Sequence, residues 1–478
     1  WTDQQSGDYM LCNQPDLSPT LEVKLPSSAI ASYTLDVKVI FAHGIQALAG
    51  LVLVVLALWV WGVQMWSHRR LLVLVIGVHI AFVLLYQLTT DLDINNSWRW
   101  DTLVHTLKMA DLRENLLDNC LYMHCQPPLF SVYGVVMDML FQANRPQMMY
   151  VFQVGLGALM CGMTYIILWR LTGNKTLTWI ASLILALNPA YFFFEALILY
   201  TLHSAFLILS AGFCLVMYRW KGQNRFLLLF MLCLNLLILL RSVYHIVLLI
   251  PAIILVLILA RDNWRRVLIG SLLMCLLSVG WYGKNLIVFG NFSGSSWMGM
   301  SLWKVARYDY ADRELQDLLD QEVLTDRTVI WFPPFMNPSA YPSFDRQREG
   351  IYALSQDNLN NAVYPEINQL YQTNAINLIA HDIGRYLAGA KRAYGYYSCP
   401  SSTYELMEKN LATFPASHQA ASVDLFHTQG LTLEIARRLG LSIEDYGACS
   451  NLYVLIPLVV LTLPLLALVM CRLDWRCW

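Results

Sequence analysis

The sequence predicts an all-α polytopic membrane protein with about nine transmembrane helices and a mostly helical external domain between the last two spans. The first reason is composition. Of 478 residues, 57% are hydrophobic and only 14% are charged, and the mean hydropathy is +0.47, which is unlike a soluble globular chain. The second reason is a series of long apolar stretches, and the third is the alternating charge of the loops between them.

The apolar stretches have the length of membrane spans, since about 20 apolar residues are needed for a helix to cross a bilayer. They lie at 45–66, 71–90, 147–169, 176–193, 198–218, 226–240, 246–260, 267–283 and 452–471. The shortest of these stretches need their flanking residues to complete the crossing. We expect each of them to form one helix.

The loops alternate in charge from one side of the predicted membrane to the other. Short basic loops follow the stretches that end near residues 66, 169, 218, 260 and 471, whereas most acidic residues lie in the other loops. The positive-inside rule places the basic loops in the cytoplasm. Residues 1–44, 91–146 and 284–450 are therefore predicted on the periplasmic or lumenal side.

This topology divides the chain into four parts. Residues 1–44 form an external tail, 45–283 the helical core with external loop 91–146, 284–450 an external domain, and 451–478 the last span and a short tail. Because the sequence begins with Trp, we expect a missing upstream segment. Helical stretches are predicted near 101–118, at Phe130–Phe141 along the membrane surface, at Asn374–Tyr386 and at Leu431–Leu439.

Five of the eleven cysteines fall on the predicted external side, where disulfides are allowed. Cys399 with Cys449 is one candidate pair in the external domain, and Cys120 with Cys125 is another in the first external loop. The sequence does not decide between these and other pairings. No Cys/His spacing resembles a zinc site, and no basic arm indicates nucleic-acid binding.

The first external loop carries the most informative residues. Asp91, Asp93 and Asp101 stand just after an apolar stretch, and the loop closes on His124-Cys125-Gln126-Pro127-Pro128-Leu129. A carboxylate at a membrane face needs water, a cation or a reaction, because burying it unpaired is expensive. The alternative is that these are solvated loop acids, and that the Pro-Pro pair is only a corner.

The order of these motifs resembles the GT-C superfamily of polytopic glycosyltransferases, in particular the family-39-like branch with protein O-mannosyltransferases and lipid A aminoarabinose transferases. The His-x-Pro-Pro-Leu-like step at 124–129 is longer than the usual motif. Further similar segments are Asn188-Pro189 with Glu195 and Tyr200, Arg241 to His245, and Lys284-Asn285 leading to Ser295–Met300. The resemblance covers most of residues 85–305.

The resemblance implies an inverting transfer of a sugar from a polyprenyl-phosphate donor to a protein, lipid or glycan acceptor at the outer face. It places the catalytic carboxylate in the first external loop, with Asp93 and Asp101 as first candidates and Asp91 as third. The transfer needs a base and cations for the leaving phosphate. No cofactor is specified, although a divalent metal is compatible with this chemistry.

The residues expected to bind the donor or acceptor are Arg241, Lys284, His245, Lys304, Arg307, Glu195 and His124. An Arg can hold two phosphate oxygens at once, and a Lys supplies a point charge. Arg241 and Lys284 alternatively snorkel to the interface. Glu195 either orders the acceptor, pairs with Arg241, or reaches water from a turn, and His124 either orients a carboxylate or supports the turn.

Three other functions fit the composition. A transporter predicts charged residues in the middle of spans or an inverted repeat, and the sequence has almost no mid-span charge and no visible halves. A non-catalytic membrane subunit with a receptor-like external domain requires neither the Asp loop nor the external basic residues. A polymerase or ligase of polyprenyl-linked glycans would share the fold. The predicted location is a bacterial inner membrane or an endoplasmic reticulum membrane.

Overall fold

A computed structural model describes residues 69–89, 100, 106–141, 144–187, 194–196, 199–260, 263–326, 329 and 360–398. These residues are mostly helical, and no strand occurs among them. The predicted spans 45–66 and 452–471, the helix Leu431–Leu439 and the Cys399–Cys449 pair lie outside the described residues.

The described helices are numbered in chain order. They are α1 (Arg69–Thr89), α2 (Met109–Glu114), α3 (Leu116–Tyr122), α4 (Leu129–Phe141), α5 (Arg145–Thr172), α6 (Lys175–Ala186), α7 (Tyr200–Lys221), α8 (Arg225–Leu240), α9 (Leu249–Leu259), α10 (Trp264–Phe289), α11 (Met298–Ala306), α12 (Asp312–Asp320), α13 (Tyr364–His381) and α14 (Ile383–Ser398). A 3₁₀ turn at Ile246–Leu248 leads into α9. Each predicted apolar stretch within these residues forms a helix.

Three described helices are long and apolar enough to cross a membrane, namely α5, α7 and α10. The other apolar helical segments are shorter. They are Arg70–Leu85 within α1, the helices α4, α6 and α8, and Ile246–Leu259, which combines the 3₁₀ turn with α9. The helical character of a membrane protein is therefore confirmed at this level, whereas the number of nine spans stays a prediction.

Local sequence signals explain where the long helices end. Gly173 and Gly222 follow α5 and α7 in the left-handed conformation, each with φ 64°, and a residue without Cβ adopts this conformation at little cost. Asn174 then begins α6, because its side chain accepts a hydrogen bond of 3.0 Å from the backbone N–H of Leu177. The short connections at 173–174 and 222–224 keep α5 next to α6 and α7 next to α8.

The apolar helices pack around two hydrophobic cores. One core is centred on α8 and α10, and the other on α1, α5 and α7. A third core joins α11, α12 and α13 outside this bundle. There, the backbone N–H of Gly299 donates to the side-chain oxygen of Asn368 at 2.5 Å. A Cβ at Gly299 would come within 2.1 Å of the Asn368 carbonyl oxygen, so only glycine permits this contact between α11 and α13.

Two predicted helices have different bounds in the structure. The helix expected near 101–118 is instead α2 and α3, which are separated at Asn115 by a non-helical backbone with φ −149° and ψ 71°. The helix expected at Asn374–Tyr386 is instead α13 and α14, which are separated at Asp382. The Asp382 carboxylate accepts from the backbone N–H of Arg385 at 3.1 Å. Short polar side chains favour such interruptions because they replace helical hydrogen bonds with local ones.

Candidate functional site

The three predicted catalytic carboxylates, Asp91, Asp93 and Asp101, lie outside the described residues. Their catalytic role therefore stays a prediction. The structure does describe the end of the same loop, from residue 106 to the Pro-Pro step, and all seven residues expected to bind donor or acceptor.

His124 is fixed inside the protein by both of its ring nitrogens. Nδ1 contacts the Ser296 hydroxyl at 2.8 Å, and Nε2 contacts the Asn360 carbonyl oxygen at 2.8 Å. Burial, reinforced by the positive charge of Lys284, lowers the pKa of His124 to about 3, so the ring is neutral at ordinary pH. With both nitrogens occupied, the geometry favours the structural interpretation of His124 over a contact with substrate.

The residues after His124 attach the same loop to other parts of the chain. The backbone N–H of Cys125 donates to the side chain of Asn360 at 3.2 Å, and the Ser295 hydroxyl donates to the Cys125 carbonyl at 2.5 Å. The Gln126 side chain accepts from the Ser242 hydroxyl at 3.0 Å. Cys120 and Cys125 are both free thiols, so the candidate disulfide of this loop is wrong, since Cys125 is instead buried in the apolar core of α11 and α13.

Lys284 also holds this loop. Its ammonium group donates to the Met123 carbonyl at 2.6 Å and lies 3.7 Å from the centre of the Trp281 ring. A cation over an aromatic ring is attracted electrostatically. Lys284 thus connects α10 to the loop that contains the Pro-Pro pair. A contact between Lys284 and a phosphate stays a prediction.

Arg241 is differently placed. It caps the C-terminus of α8, is half-buried, and points its guanidinium at the ring of Tyr200, 4.8 Å from the ring centre. None of the ion pairs in the described part of the chain involves Arg241. Among the predicted phosphate contacts, it is therefore the cation with the most capacity left for a ligand.

A row of aromatic rings connects Arg241 to the first external loop. The Tyr200 ring meets Phe130 of α4 edge to face at 5.6 Å, and Phe130 stacks on Trp100 at 5.1 Å. The indole N–H of Trp100 donates to the Leu107 carbonyl at 2.9 Å. A Cβ at Gly134 would come within 2.5 Å of the Trp100 ring, so a glycine on α4 allows Trp100 to be buried there. Trp100 directly precedes Asp101 in the sequence.

The other predicted binding residues have separate surroundings. His245 caps the 3₁₀ turn by accepting from the Val247 N–H at 3.3 Å, and its ring lies 5.7 Å from that of Tyr282. Arg307 pairs with Asp312 at 3.0 Å in the external helices, and Lys304 is exposed on α11. The described contacts therefore do not gather these residues and Arg241 into one site.

Sequence reasoning missed an ion cluster next to this region. The carboxylate of Asp138 on α4 is buried and accepts hydrogen bonds from two arginines. Arg113 of α2 donates to its Oδ1 at 2.7 Å, and Arg145 of α5 donates to the same oxygen at 2.5 Å. The hydrogen bonds and charge of Arg113, together with Arg145, hold the pKa of the Asp138 carboxyl below its ordinary value. An acid within an otherwise apolar helix was the signal available in the sequence.

Replacing Asp138 by Asn is expected to lower the free energy of unfolding by on the order of 2 kcal/mol. This is less than the about 3–5 kcal/mol typical of fully buried pairs, because Arg113 is 52% exposed. Since the pKa of Asp138 is lowered by folding, the wild-type advantage is complete above the ordinary Asp value of about 3.9 and disappears as the pH falls through the folded-state value. Equilibrium unfolding at several pH values checks both points, and an advantage that is unchanged at low pH would contradict them.

Glu195 lies in a different environment from the one predicted. It is fully buried, and its Oε1 contacts Nε2 of His79 in α1 at 2.8 Å. Both expectations for its surroundings, a pair with Arg241 and a turn that reaches water, are therefore wrong. A Cβ at Gly157 of α5 would lie 1.6 Å from this Oε1, so the helix bundle provides a recess for the carboxylate. His79, the polar residue in the apolar segment 71–90, was the missed signal.

The described part of the chain contains no group of three or more His, Cys, Asp or Glu side chains that could hold a metal ion. No protein-family model matches the chain, and no curated protein or solved structure is significantly similar to it.

Proposed function

We propose that this protein is a multi-pass membrane glycosyltransferase of the GT-C type. It transfers a sugar from a polyprenyl-phosphate donor to a protein, lipid or glycan acceptor. The reaction takes place at the periplasmic or lumenal face of a bacterial inner membrane or endoplasmic reticulum membrane. About nine spans, counted from the sequence, complete the topology.

The observation that carries this proposal is the position of Arg241. A guanidinium at the outer end of an apolar helix, without an ion pair among the described residues, suits a phosphate group that approaches from the lipid. The neighbouring ring of Tyr200 is partly exposed and offers an apolar surface to a polyprenyl chain, and the buried ring of Phe130 packs behind it. Through Trp100, the same rings are connected to the loop that carries the predicted acids.

The proposed roles follow from the chemistry of the transfer. A carboxylate of the first external loop, Asp101 or Asp93, takes the proton of the acceptor hydroxyl. The acceptor oxygen forms a bond to the anomeric carbon, with inversion, as the bond from this carbon to the phosphate oxygen breaks. The electron pair of the broken bond stays on the polyprenyl phosphate, whose charge Arg241 stabilises. Inversion and the lipid donor come from the resemblance.

Native mass spectrometry of the purified wild-type protein, with fragmentation of any bound lipid, tests the donor class. We expect a polyprenyl phosphate or its sugar ester, either co-purified or bound after it is added to the detergent solution. If only ordinary phospholipids bind under both conditions, the donor assignment is wrong.

A proton-coupled transporter is the second candidate, and the buried His79–Glu195 pair is the observation that favours it. Ionisable residues inside a membrane bundle are expensive and are frequently part of proton or ion pathways. A transporter would carry its substrate across a proteoliposome membrane in response to a pH gradient and would leave an added polyprenyl-phosphate sugar intact. Cleavage of that sugar ester by the purified protein would exclude this alternative as the main function.

A further inference from the structure

His79 and Glu195 form a closed acid–base contact inside the helix bundle. The exposed fraction of either side chain is at most 1%. His79 lies on α1, and Glu195 lies in the connection between α6 and α7. Nε2 of His79 contacts Oε1 of Glu195 at 2.8 Å, while Nδ1 of His79 contacts the Ala186 carbonyl oxygen at 3.0 Å.

These two distances determine where protons are bound. A carbonyl oxygen only accepts hydrogen bonds, so Nδ1 of His79 must carry a proton and donate it to Ala186. The contact between Nε2 and Oε1 then needs one further proton. This proton lies either on the imidazole, which makes an ion pair, or on the carboxyl group, which makes a neutral pair. Both forms have zero net charge and contain two nitrogen- or oxygen-bound protons.

The surroundings are shaped for this contact. Tyr150, Gln153, Gly157 and Cys161 follow one another on α5 at intervals of three or four residues, so they share one face of the helix. At 1.5 Å per residue they span about 16 Å. All four are buried within the bundle, and the recess at Gly157 receives the Glu195 carboxylate. A polar face this long inside an apolar bundle is unusual for packing alone.

Few other titratable groups face the pair. The described structure brings Tyr150 next to Glu195, and Cys161 within hydrogen-bonding reach of His79, both from α5. Side chains of these types ordinarily titrate above about pH 8. From α6 the pair meets the carbonyl group of Ala186, which does not titrate. Between about pH 4 and pH 8, His79 and Glu195 are therefore the groups of this cluster whose number of bound protons can differ between the folded and the unfolded chain.

We propose that His79 and Glu195 constitute a proton-binding site inside the helix bundle, whose bridging proton fixes the connection between α6 and α7 to α1. The alternative is a polar contact whose two groups bind the same number of protons in the folded and in the unfolded chain. This proposal does not depend on the transferase activity, since it concerns protons bound by the folded chain.

Proton counting gives the pH dependence of the folded state. The folded pair holds two protons. The unfolded pair also holds two protons at pH values between the ordinary Glu and His pKa values, which are about 4.3 and 6.5. Above the His value, the unfolded pair holds one proton. Above about pH 6.5, folding therefore takes up one proton. Stability from this site then falls as the pH rises, by a factor of about ten in the unfolding equilibrium constant per pH unit.

Glu195→Gln removes the bridging proton and keeps a hydrogen bond, because the amide N–H can donate to Nε2 of a neutral His79. In this variant the folded site holds one proton at every pH. The measured quantity is the unfolding equilibrium constant of the wild type divided by that of the variant. This ratio is expected to rise about tenfold per pH unit from about pH 5 to about pH 8.5. The stability of the variant relative to the wild type is therefore expected to rise with pH over this range. Equilibrium unfolding of the full chain in mixed micelles measures this ratio.

His79→Gln provides a second variant with a different expected profile. Without the imidazole, the buried Glu195 carboxyl keeps its own proton, so the wild-type unfolding constant divided by that of the variant is expected to fall about tenfold per unit over the range below about pH 6.5. It is flat above that range. Ratios that are constant with pH in both variants would show that folding changes the number of protons bound by neither group, and would overturn the proposal.

Discussion

Replacing Arg241 by Gln is expected to weaken binding of a polyprenyl phosphate about tenfold to a hundredfold. Hydrogen bonds to a charged group contribute about 1.5–3 kcal/mol, which corresponds to this range of affinity. The guanidinium lies over the Tyr200 ring at the C-terminal end of α8. Its removal should therefore affect a phosphate bound at this end and leave the helix bundle folded.

The same chain offers a matched control for this experiment. Arg225 is an exposed arginine at the opposite end of α8, so Arg225→Gln removes the same charge from the other face. Titration of each variant in nanodiscs with a polyprenyl phosphate should show weaker binding for Arg241→Gln alone. Equal losses in both variants would indicate a general charge effect and would remove Arg241 from the proposed site.

Replacing Gly157 by Ala is expected to destabilise the protein strongly, although it adds only one methyl group. The new Cβ would lie 1.6 Å from Oε1 of Glu195 and 3.1 Å from Nε2 of His79. The carboxylate must leave its recess, and breaking a buried pair costs about 3–5 kcal/mol of the free energy of unfolding. Thermal and denaturant unfolding of the purified variant measure this loss.

Gly155 supplies the control for this substitution. It lies two residues away on α5, and no atom of the described residues outside its own helix is within 4 Å of a Cβ built there. Gly155→Ala is expected to leave the protein unchanged or to stabilise it by up to about 1 kcal/mol, since alanine is the better helix former. If Gly157→Ala were as stable as Gly155→Ala, the described position of Glu195 would be incorrect.

The helices of this protein were predictable because their signal is local. Long apolar segments specify α5, α7 and α10 whatever they pack against. The glycines after α5 and α7 likewise mark helix ends through their own backbone conformation. Interruptions at Asn115 and Asp382 were missed because a single polar side chain decides them, and helical periodicity continues across both positions.

The functional contacts were much less predictable because they join residues far apart in the chain. Glu195 contacts His79, which is 116 residues away, and His124 contacts Asn360 across 236 residues. The sequence predicted that Glu195 and Arg241 lie close together, since the predicted topology puts both at the same side of neighbouring spans. Three-dimensional packing instead gave the carboxylate a closer partner, and a buried carboxylate is stabilised by the nearest available donor.

The most direct test of the proposed function is turnover of a defined donor. The wild-type protein in nanodiscs is supplied with polyprenyl-phosphate sugars and with a membrane extract that provides protein, lipid and glycan acceptors, and release of free polyprenyl phosphate is followed by mass spectrometry. Asp101→Asn and Asp93→Asn serve as variants of the predicted base, and Arg225→Gln serves as the control. We expect release by the wild type and the control, and at least a hundredfold slower release when the catalytic base is removed. Equal release by all four proteins, or none by the wild type with any donor sugar, would contradict the assignment of this protein as a glycosyltransferase.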